Sequence, residues 1–443
     1  MKARIFLTIL GLTTRCWIVR AESQPITLAT TLRLAGAQNL SLALARERIH
    51  EARSLLQQDR QTLFPWVAPG IGYKRHDGNL QDVVGNVFDA SKQSGTAALT
   101  LQGQLDLGDS IYRILVARQV VRASEASEAG QHRDLLRQAA TAYTELSRAA
   151  AALLAADESV RIADEFLRQI KEAVAAGLAF AGDAPRAEVQ RDHNESLRLQ
   201  AREEIRLASL RLTQLLRLPL TLELEPTLSE FVPVVLIAPT RALDSLMATA
   251  LARRPELAQN DALLAMARAK RDGVTQGPWL PAVGAQAALG GLAGGRNGDF
   301  HHGDDFQDYS LSLSWRLGPG GLGDRARIRT AESRLRQAEL GREQARDEIA
   351  REVIEARTRT ESATAQLAVA SRSLTTARRL LELTQSRREF GVGAVLEAVE
   401  AQRELTRAQT EHLRAIGDHN RRQWELWNAV GDEEPMETSA RPQ

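Results

Sequence analysis

The chain has 443 residues, of which 26% are charged and only 4% are aromatic. Because its 57 basic and 56 acidic residues are finely interspersed, no basic stripe indicates a nucleic-acid partner. The alanine-rich, aromatic-poor composition favours long helices packed through narrow seams over domains built around one thick core.

Residues 1–21 predict an export signal that is removed from the mature protein. Basic residues stand near the start, residues 5–12 are apolar, and Ala21 suits a cleavage position. Cys16, the single cysteine of the chain, lies in this segment, and the preceding Arg15 disfavours lipidation of its thiol. A mature chain without thiols would have neither disulfides nor thiolate metal sites.

Residues 22–217 are predicted to form a first structural repeat. A helical segment at 26–62 leads into strands at about 66–74 and 97–107, and a long helical hairpin follows at 109–217. The hairpin is indicated by apolar residues that recur at steps of three and four, as a coiled-coil seam requires. These seam residues are Leu135, Ala139, Ala142, Leu146, Ala149, Leu153, Ala156, Val160, Ala163, Leu167, Ile170 and Val174.

A second repeat, at 241–431, follows a proline-rich linker at 218–240. Adding 214 to the twelve seam positions gives nine apolar residues again, so one long helical unit occurs twice. The second repeat is predicted to contain a helix, two strands and a hairpin, at 241–277, about 282–290, about 308–317 and 324–430. Residues 432–443 are predicted to be a disordered tail.

The predicted strands each have one apolar and one polar face. Leu99, Leu101 and Leu105 alternate with polar residues, and Leu311 and Leu313 alternate with serines. A length of about nine residues suits a tilted strand that crosses a bilayer. The polar, glycine-rich stretches at 74–95 and 290–308 are expected to be long exposed loops.

Aromatic residues at the ends of these strands support a membrane location. Phe64, Trp66, Trp279 and Trp315 stand where a strand would enter or leave the bilayer, and aromatic side chains are common at that interface. The alternative is a soluble pair of β-hairpins whose aromatic side chains fill a small core.

Four strands are too few to close a transmembrane barrel, because the smallest such barrels have about eight. An open sheet in lipid would leave backbone groups without hydrogen bonds. The chain is therefore predicted to assemble with copies of itself around a shared pore, although the sequence pattern does not give the number of copies.

The order of helix, two strands and long hairpin, present twice, resembles the TolC family of outer-membrane efflux proteins over nearly the whole mature chain. Gly177-Leu178 with Asp183 is similar to the first hairpin tip of that family. Residues 391–402, with their Leu-Glu-Ala-Val-Glu-Ala-Gln run, are similar to the second tip, and residues 429–431 to the end of the last helix. The resemblance implies a mostly α fold with β structure: a trimer with a 12-stranded barrel and an α-helical periplasmic tunnel.

The resemblance also implies functional positions. Asp183, Glu397 and Glu400 would lie at the periplasmic entrance of the tunnel, where converging carboxylates favour cations. Where the family often has a tyrosine and an arginine that close the entrance, this chain has Arg388 and Gly393. We expect Arg388 to pair with one of the entrance acids instead.

The hairpin tips would meet the partners that the resemblance implies, a periplasmic adaptor and an inner-membrane pump. The residues expected there are Gly177, Leu178, Gly391 and Val392, of which the two glycines would also end their helices. A periplasmic adaptor itself would have one hairpin instead of this duplicated pair.

No arrangement typical of an enzyme, a nucleotide site or a cofactor site stands out. No spacing that fixes metal geometry is present among His301, His302, Asp304 and Asp305. His132, His193, His412 and His419 are expected on solvated helix faces. Two functions are left open: an outer-membrane exit duct driven by a partner pump, and a soluble coiled-coil scaffold without channel activity. The sequence does not identify a transported substrate.

Overall fold

The computed structural model describes residues 23–296, 299–300, 302–389 and 395–433, without the side chains of Glu230, Arg388 and Glu389. The predicted export signal, Cys16 and residues 434–443 of the predicted tail lie outside this range. In chain order the elements are β1 (Ser23–Ile26), α1 (Leu28–Gln38), α2 (Leu40–Gln61), β2 (Trp66–Gln81), β3 (Val87–Asp106), α3 (Leu107–Ala175), α4 (Asp183–Leu215), β4 (Glu223–Pro226), α5 (Leu243–Arg253), α6 (Pro255–Thr275), β5 (Ala282–Arg296), β6 (His302–Ser314), α7 (Arg325–Glu389) and α8 (Val395–Val430). None of the helices within these ranges has the length and apolar character that crossing a membrane requires.

The chain divides into two compact units, and each unit draws on both predicted repeats. The hairpin unit comprises the described residues of Met1–Asn39, Leu136–Leu236 and Thr360–Trp424. The sheet unit comprises the described residues of Leu40–Leu135, Ile237–Arg359 and Glu425–Gln443. The boundaries of the two sequence repeats therefore differ from the boundaries of the two compact units.

The sheet unit contains one antiparallel sheet in the order β2-β3-β5-β6. Its register places Val67, Leu101, Ala287 and Tyr309 in one row across all four strands. Since cross-strand partners share a face, the apolar positions of the strands lie on one side of the sheet. The neighbouring row, Trp66, Gln102, Gln286 and Ser310, lies on the other side and is polar apart from Trp66 at the start of β2. The predicted two-faced strands are therefore confirmed.

The predicted loops at 74–95 and 290–308 are largely wrong. β2 and β3 continue pairing from Trp66 to Gln81, and only residues 82–86 turn between them. The paired extensions are polar, with no apolar alternation to indicate a strand. Backbone hydrogen bonding between adjacent antiparallel strands continues without that signal, because it does not depend on side-chain polarity.

The two predicted seams are buried as expected. Leu146 and Val353 have no exposed surface. Buried seam residues of the first pass are Leu135, Ala139, Leu146, Ala149, Val160, Ala163 and Ile170, and those of the second are Ile349, Val353, Ala356, Thr360, Ala363, Leu374, Ala377, Leu381 and Thr384. Alanine at many of these positions lets neighbouring helices approach closely.

Each predicted first helix is broken in two. The helix expected at 26–62 ends at Asn39, which is extended (ψ 134°), before α2 begins. The helix expected at 241–277 ends at Arg254, also extended (ψ 123°), because Pro255 disfavours a helical conformation in the preceding residue.

The connections from sheet to helix differ between the repeats. β3 passes into α3 with no residue between them, and the Asp106 side chain accepts a hydrogen bond from the Asp109 amide at 2.9 Å. Between β6 and α7, in contrast, residues 315–324 form a loop. Gly318, Gly320 and Gly323 in this loop have positive φ, a conformation that glycine adopts at little cost.

The predicted linker is structured. Its strand β4 pairs in parallel with β1. Farther along, the Asn420 side chain accepts a hydrogen bond from the Val234 amide and donates one to the Val232 carbonyl, both at 2.9 Å. His419, expected on a solvated face, is only 3% exposed, and its Nε2 lies 3.1 Å from the Val234 carbonyl oxygen. That prediction is wrong because the linker covers this face of α8.

The tail prediction is also wrong for Asp432 and Glu433. Arg241 holds the Asp432 carboxylate at 2.6 Å, and the Trp427 indole donates a hydrogen bond to the Glu433 carbonyl at 2.8 Å. The Arg133 guanidinium lies 4.4 Å from the centre of the Trp427 ring, within the range of a cation–π contact. These contacts fix the chain just beyond the end of α8.

Candidate functional site at the hairpin tips

The first hairpin tip, in the hairpin unit, is the turn between α3 and α4. Gly177 has a φ of 72°, and its amide bonds to the Val174 carbonyl while the Leu178 amide bonds to the Ala173 carbonyl. This pair of hydrogen bonds is the Schellman motif, which satisfies the last carbonyls of a helix. The predicted capping role of Gly177 is confirmed.

The capped turn exposes apolar side chains. Leu178 is 84% exposed and Phe180, two residues later, is 71% exposed. Phe180 was not among the predicted tip residues, although its position between Gly177 and Asp183 is a sign that could have identified it. Gly391 and Val392, the predicted residues of the second tip, lie outside the described residues.

The first turns of α4 and α8 pack side by side in this unit. Ala187 of α4 shares one buried cluster with Ala398 and Val399 of α8 and with Phe166 and Ile170 of α3. Small residues at these contacts allow the helices to approach closely. The structure therefore brings together the two helix starts that carry the predicted entrance acids.

Each predicted entrance acid has an arginine beside it. Asp183 lies 3.3 Å from Arg186, Glu400 lies 3.1 Å from Arg403, and Glu397 lies 3.2 Å from Arg387. Asp183 and Glu397 both stand in the first turn of their helices, where the helix dipole also favours an acid.

Arg388, the predicted partner of an entrance acid, has no described side chain, so its pairing stays a prediction. The cation found beside Glu397 is the preceding residue, Arg387, on α7.

A buried polar network lies one to two turns from the entrance acids. Gln190 and Asn194, on α4, are 1% and 2% exposed and share a hydrogen bond of 3.1 Å. Asn194 donates to the Ser159 carbonyl of α3 at 3.1 Å, while Arg403 of α8 donates to the Gln190 side-chain oxygen at 2.6 Å. The network thereby links three helices and reaches Glu400 through Arg403.

This network was not among the features predicted from the sequence. Its only sign in the sequence is a pair of amide side chains four residues apart, which places both on one helix face. Among the described residues, no three His, Cys, Asp or Glu side chains are grouped closely enough to hold a metal ion.

The predicted interface aromatics lie at one end of the sheet in the sheet unit. Trp66 begins β2, Phe64 precedes it, Trp279 precedes β5, and Trp315 follows β6. All four side chains are more than half exposed, and the Trp315 indole donates a hydrogen bond to the Trp279 carbonyl at 3.3 Å. Their shared position agrees with the register of the strands, but their contact with lipid stays a prediction.

Comparison with known families gives two matches along the chain. The family described as outer membrane efflux protein matches residues 31–216 and 246–432. These segments coincide closely with the two predicted repeats and together cover most of the chain. No curated protein sequence is similar enough to count as a match.

Solved structures share the fold at low sequence identity. A membrane protein from Pseudomonas aeruginosa is 20% identical, with a TM-score of 0.77, over 91% of this chain and 93% of that one. The outer membrane protein VceC from Vibrio cholerae is 18% identical, with a TM-score of 0.76, over 91% and 96%. The open state of the Neisseria gonorrhoeae MtrE outer membrane channel is 21% identical, with a TM-score of 0.74, over 91% and 88%.

Proposed function

The chain belongs to the outer membrane efflux protein family, and on this premise we propose that three copies form the exit duct of a tripartite efflux or type I secretion system. Transport through the duct is passive and is driven by a partner pump in the inner membrane. The family is a transport family and not an enzyme family, and membership in it sets aside the soluble scaffold.

The exposed apolar face of the sheet is the observation that carries this proposal. Branched aliphatic and tyrosine side chains cover one face of the four strands and stay exposed in the described part of the chain. They include Val67, Ile71, Tyr73, Leu99, Leu101, Leu289, Tyr309, Leu311 and Leu313, all at least two-fifths exposed. Such a face is costly in water, whereas lipid covers it without cost.

The edges of the sheet support assembly of several copies. Within the described sheet, β2 and β6 each pair on one side only. Because the four strands alternate in direction, β6 of one copy and β2 of the next run antiparallel and have matching hydrogen-bonding groups. Three copies of four strands would close a barrel of twelve, which removes every unpaired edge from the lipid.

Exposed apolar stripes in the hairpin unit offer a second surface for contact between copies. On α4, Leu199, Leu207 and Leu210 fall within a sector of about 80°, at 100° per residue. On α7, a similar stripe contains Val369, Leu380 and Leu383. We propose that the α4 stripe of one copy packs against the α7 stripe of the next copy, because each copy presents one stripe of each kind.

The hairpin tips are proposed to dock onto a periplasmic adaptor, with Leu178, Phe180, Gly391 and Val392 as the apolar contacts and Gly177 as the residue that shapes the turn. Asp183, Glu397 and Glu400, repeated in three copies, would surround the tunnel entrance. Their arginine neighbours temper this negative charge, so opening of the entrance would have to separate or reorient ion pairs.

The test of the proposed function is isolation of the full-length protein from outer membranes in detergent. We expect a complex of three chains that resists mild denaturation, each chain near 48.7 kDa before removal of a signal. It should also conduct ions in a planar bilayer. A detergent-free monomer without conductance would contradict the proposal.

A further inference from the structure

The helices of the sheet unit border an open cleft of about 1310 Å³. Four helices line it: α2, α3, α6 and α7. Adjacent helices are joined by polar contacts, including Arg53 with Glu125 at 2.8 Å and Tyr112 with Gln276 at 2.8 Å. The cleft therefore lies within one unit of one copy and needs no other chain to form.

Apolar atoms make up most of its lining surface, and many of them belong to aliphatic side chains. From all four helices, these include Leu55, Val116, Val120, Leu263, Met266 and Ala331. Ligand sites for small molecules are typically concave and mostly apolar, with a few polar groups that fix orientation. The cleft has this composition and exceeds the volume of about 300–1,000 Å³ usual for such sites.

The cleft also has a surplus of positive charge. Arg113 is shared by two acids of the lining, Asp59 at 3.3 Å and Asp109 at 3.4 Å, so the positive surplus comes from the other cations of the lining. Arg327 of α7, whose guanidinium donates a hydrogen bond to the Gly320 carbonyl at 3.0 Å, is one of these cations. The other two are Lys270 of α6 and Arg334 of α7. Neither has a carboxylate within ion-pair distance among the described residues.

The positive charge continues beyond the cleft itself. A smaller cavity of about 250 Å³ shares Val120 and Leu263 with it and adds Arg48 of α2. Arg48 likewise has no carboxylate within ion-pair distance in the described part of the chain. Every acid lining the two cavities is thus paired, while three cations are available to a ligand.

We propose that this cleft binds small anionic amphiphiles, molecules with an apolar body and a carboxylate or sulfonate group. The apolar body lies against the aliphatic lining, and the anionic group lies near Lys270 and Arg334. The inference rests on the proposed function, since it makes the cleft part of the route through the duct. It narrows the substrate class that the chain favours, because a cationic amphiphile would meet no unpaired carboxylate in the cleft.

The test is block of single-channel current in planar bilayers containing the purified full-length protein. Cholate is the anionic probe and dodecyltrimethylammonium the cationic one. We expect cholate to block the wild type and to require about fivefold more for half-block in the Lys270→Gln/Arg334→Gln variant, as loss of two partly exposed ion pairs implies. The concentration of dodecyltrimethylammonium needed for half-block should not increase in this variant.

The matched control is Arg268→Gln/Arg336→Gln, which removes two exposed cations from the same helices without altering the lining. It should leave half-block by cholate unchanged. Equal effects of the two double variants, or no block of the wild type, would overturn the inference while leaving conductance, and hence the proposed function, intact. Absence of any conductance in the wild type would instead count against the proposed function.

A second measurement covers the case in which the Lys270→Gln/Arg334→Gln variant does not assemble. In a Cys16→Ser background, Thr330→Cys places the one thiol of the chain in the lining of the cleft and keeps both Lys270 and Arg334. Cholate should slow its modification by a neutral thiol reagent by about fivefold or more. Unchanged modification in saturating cholate would overturn the inference.

Discussion

Arg403 of α8 donates a hydrogen bond to the buried side chain of Gln190 on α4 at 2.6 Å, and so joins the two helices that begin at the hairpin tips. Gln190 is 1% exposed, and its removal takes away the donor to the Asn194 side-chain oxygen and the acceptor of the Arg403 Nε–H. A buried polar group that loses its partner costs about 1–3 kcal/mol. The contact between Arg403 and Gln190 is therefore expected to contribute more to the stability of the hairpin unit than any one of its exposed ion pairs.

Gln190→Ala is expected to lower the free energy of unfolding by about 1–3 kcal/mol. The reason is that the buried Asn194 side-chain oxygen loses the hydrogen bond it accepts from Gln190. Thermal unfolding followed by circular dichroism in detergent measures the loss. The control is Arg407→Gln, which removes an exposed pair with Glu411 and should cost less than about 1 kcal/mol. Equal losses in the two variants would contradict this role.

Arg387→Ala is expected to make the channel more selective for cations, because it leaves Glu397 without the arginine that lies 3.2 Å away. The measurement is the reversal potential in a KCl gradient across a planar bilayer. Stability should change by less than about 1 kcal/mol, since the pair is exposed.

Arg388→Ala tests the separate prediction that Arg388 also pairs with an entrance acid. Unchanged conductance and unchanged antibiotic leakage into cells carrying Arg388→Ala would refute that pairing. The Arg387 prediction would be unaffected.

The stability of the hairpin unit is expected to fall as the pH is lowered through the histidine range. Burial lowers the pKa of His419 below its usual 6.5, an effect that its hydrogen bond to Val234 only partly offsets. Burial and then the charge of Arg378 lower the pKa of His412. Because the unfolded chain binds these protons more readily, the stability they contribute is complete above pH 6.5 and is lost as the pH falls through the lowered values.

Thermal unfolding between pH 8 and pH 5 gives the measurement. The His412→Gln/His419→Gln variant should show a smaller decrease across this range than the wild type. His193→Gln, which replaces an exposed histidine on α4, serves as the control and should follow the wild type. An identical pH profile for the double variant would rule out these two groups as the source.

Leu178→Asp combined with Phe180→Asp is expected to abolish crosslinking to the adaptor without preventing trimer formation. A charge at each exposed apolar position of the turn opposes burial against a partner. Crosslinking in cells, with the trimer followed on mildly denaturing gels, measures both outcomes. Leu178→Met conserves volume and apolar character and should crosslink normally. Full crosslinking by the aspartate variant would refute docking at this tip.

Two adjacent residues of β6 test the assignment of sheet faces. Leu311 pairs with Ala285 on the apolar face, and Ser312 pairs with Gly284 on the polar face. Leu311→Arg is expected to destabilise the barrel by up to about 2–4 kcal/mol, the usual effect of arginine near the centre of the lipid-facing surface. Ser312→Arg should fold and instead change conductance. Refolding yields into lipid vesicles distinguish the two, and the reverse ranking would contradict the assignment.

The helical framework was predictable from the sequence because its signals are periodic. The seam from Leu135 to Val174 and its counterpart from Ile349 repeat at the spacing that packed helices require. Gly177 and Asp183 mark a helix end and a helix start by residue type alone. Pro255 could likewise have indicated the break between α5 and α6, because proline restricts the residue before it.

The contacts that the sequence did not reveal depend on partners far along the chain. Gln190 interacts with Arg403, and Val234 with His419 and Asn420. No local pattern distinguishes these polar residues from solvated ones on a helix surface. The extended strands were missed for a similar reason: residues 74–81 are held by pairing with β3, and polar side chains there give no alternation to detect.

The two junctions between sheet and helix differ in how closely they couple rotation of the helix to movement of the strand. Turning α3 about its axis twists β3 at once, since no residue separates them. The ten-residue glycine-containing loop before α7 would allow that helix to rotate without moving β6. Any rotation of the helices relative to the sheet would therefore be carried by α7, while α3 keeps its alignment with β3.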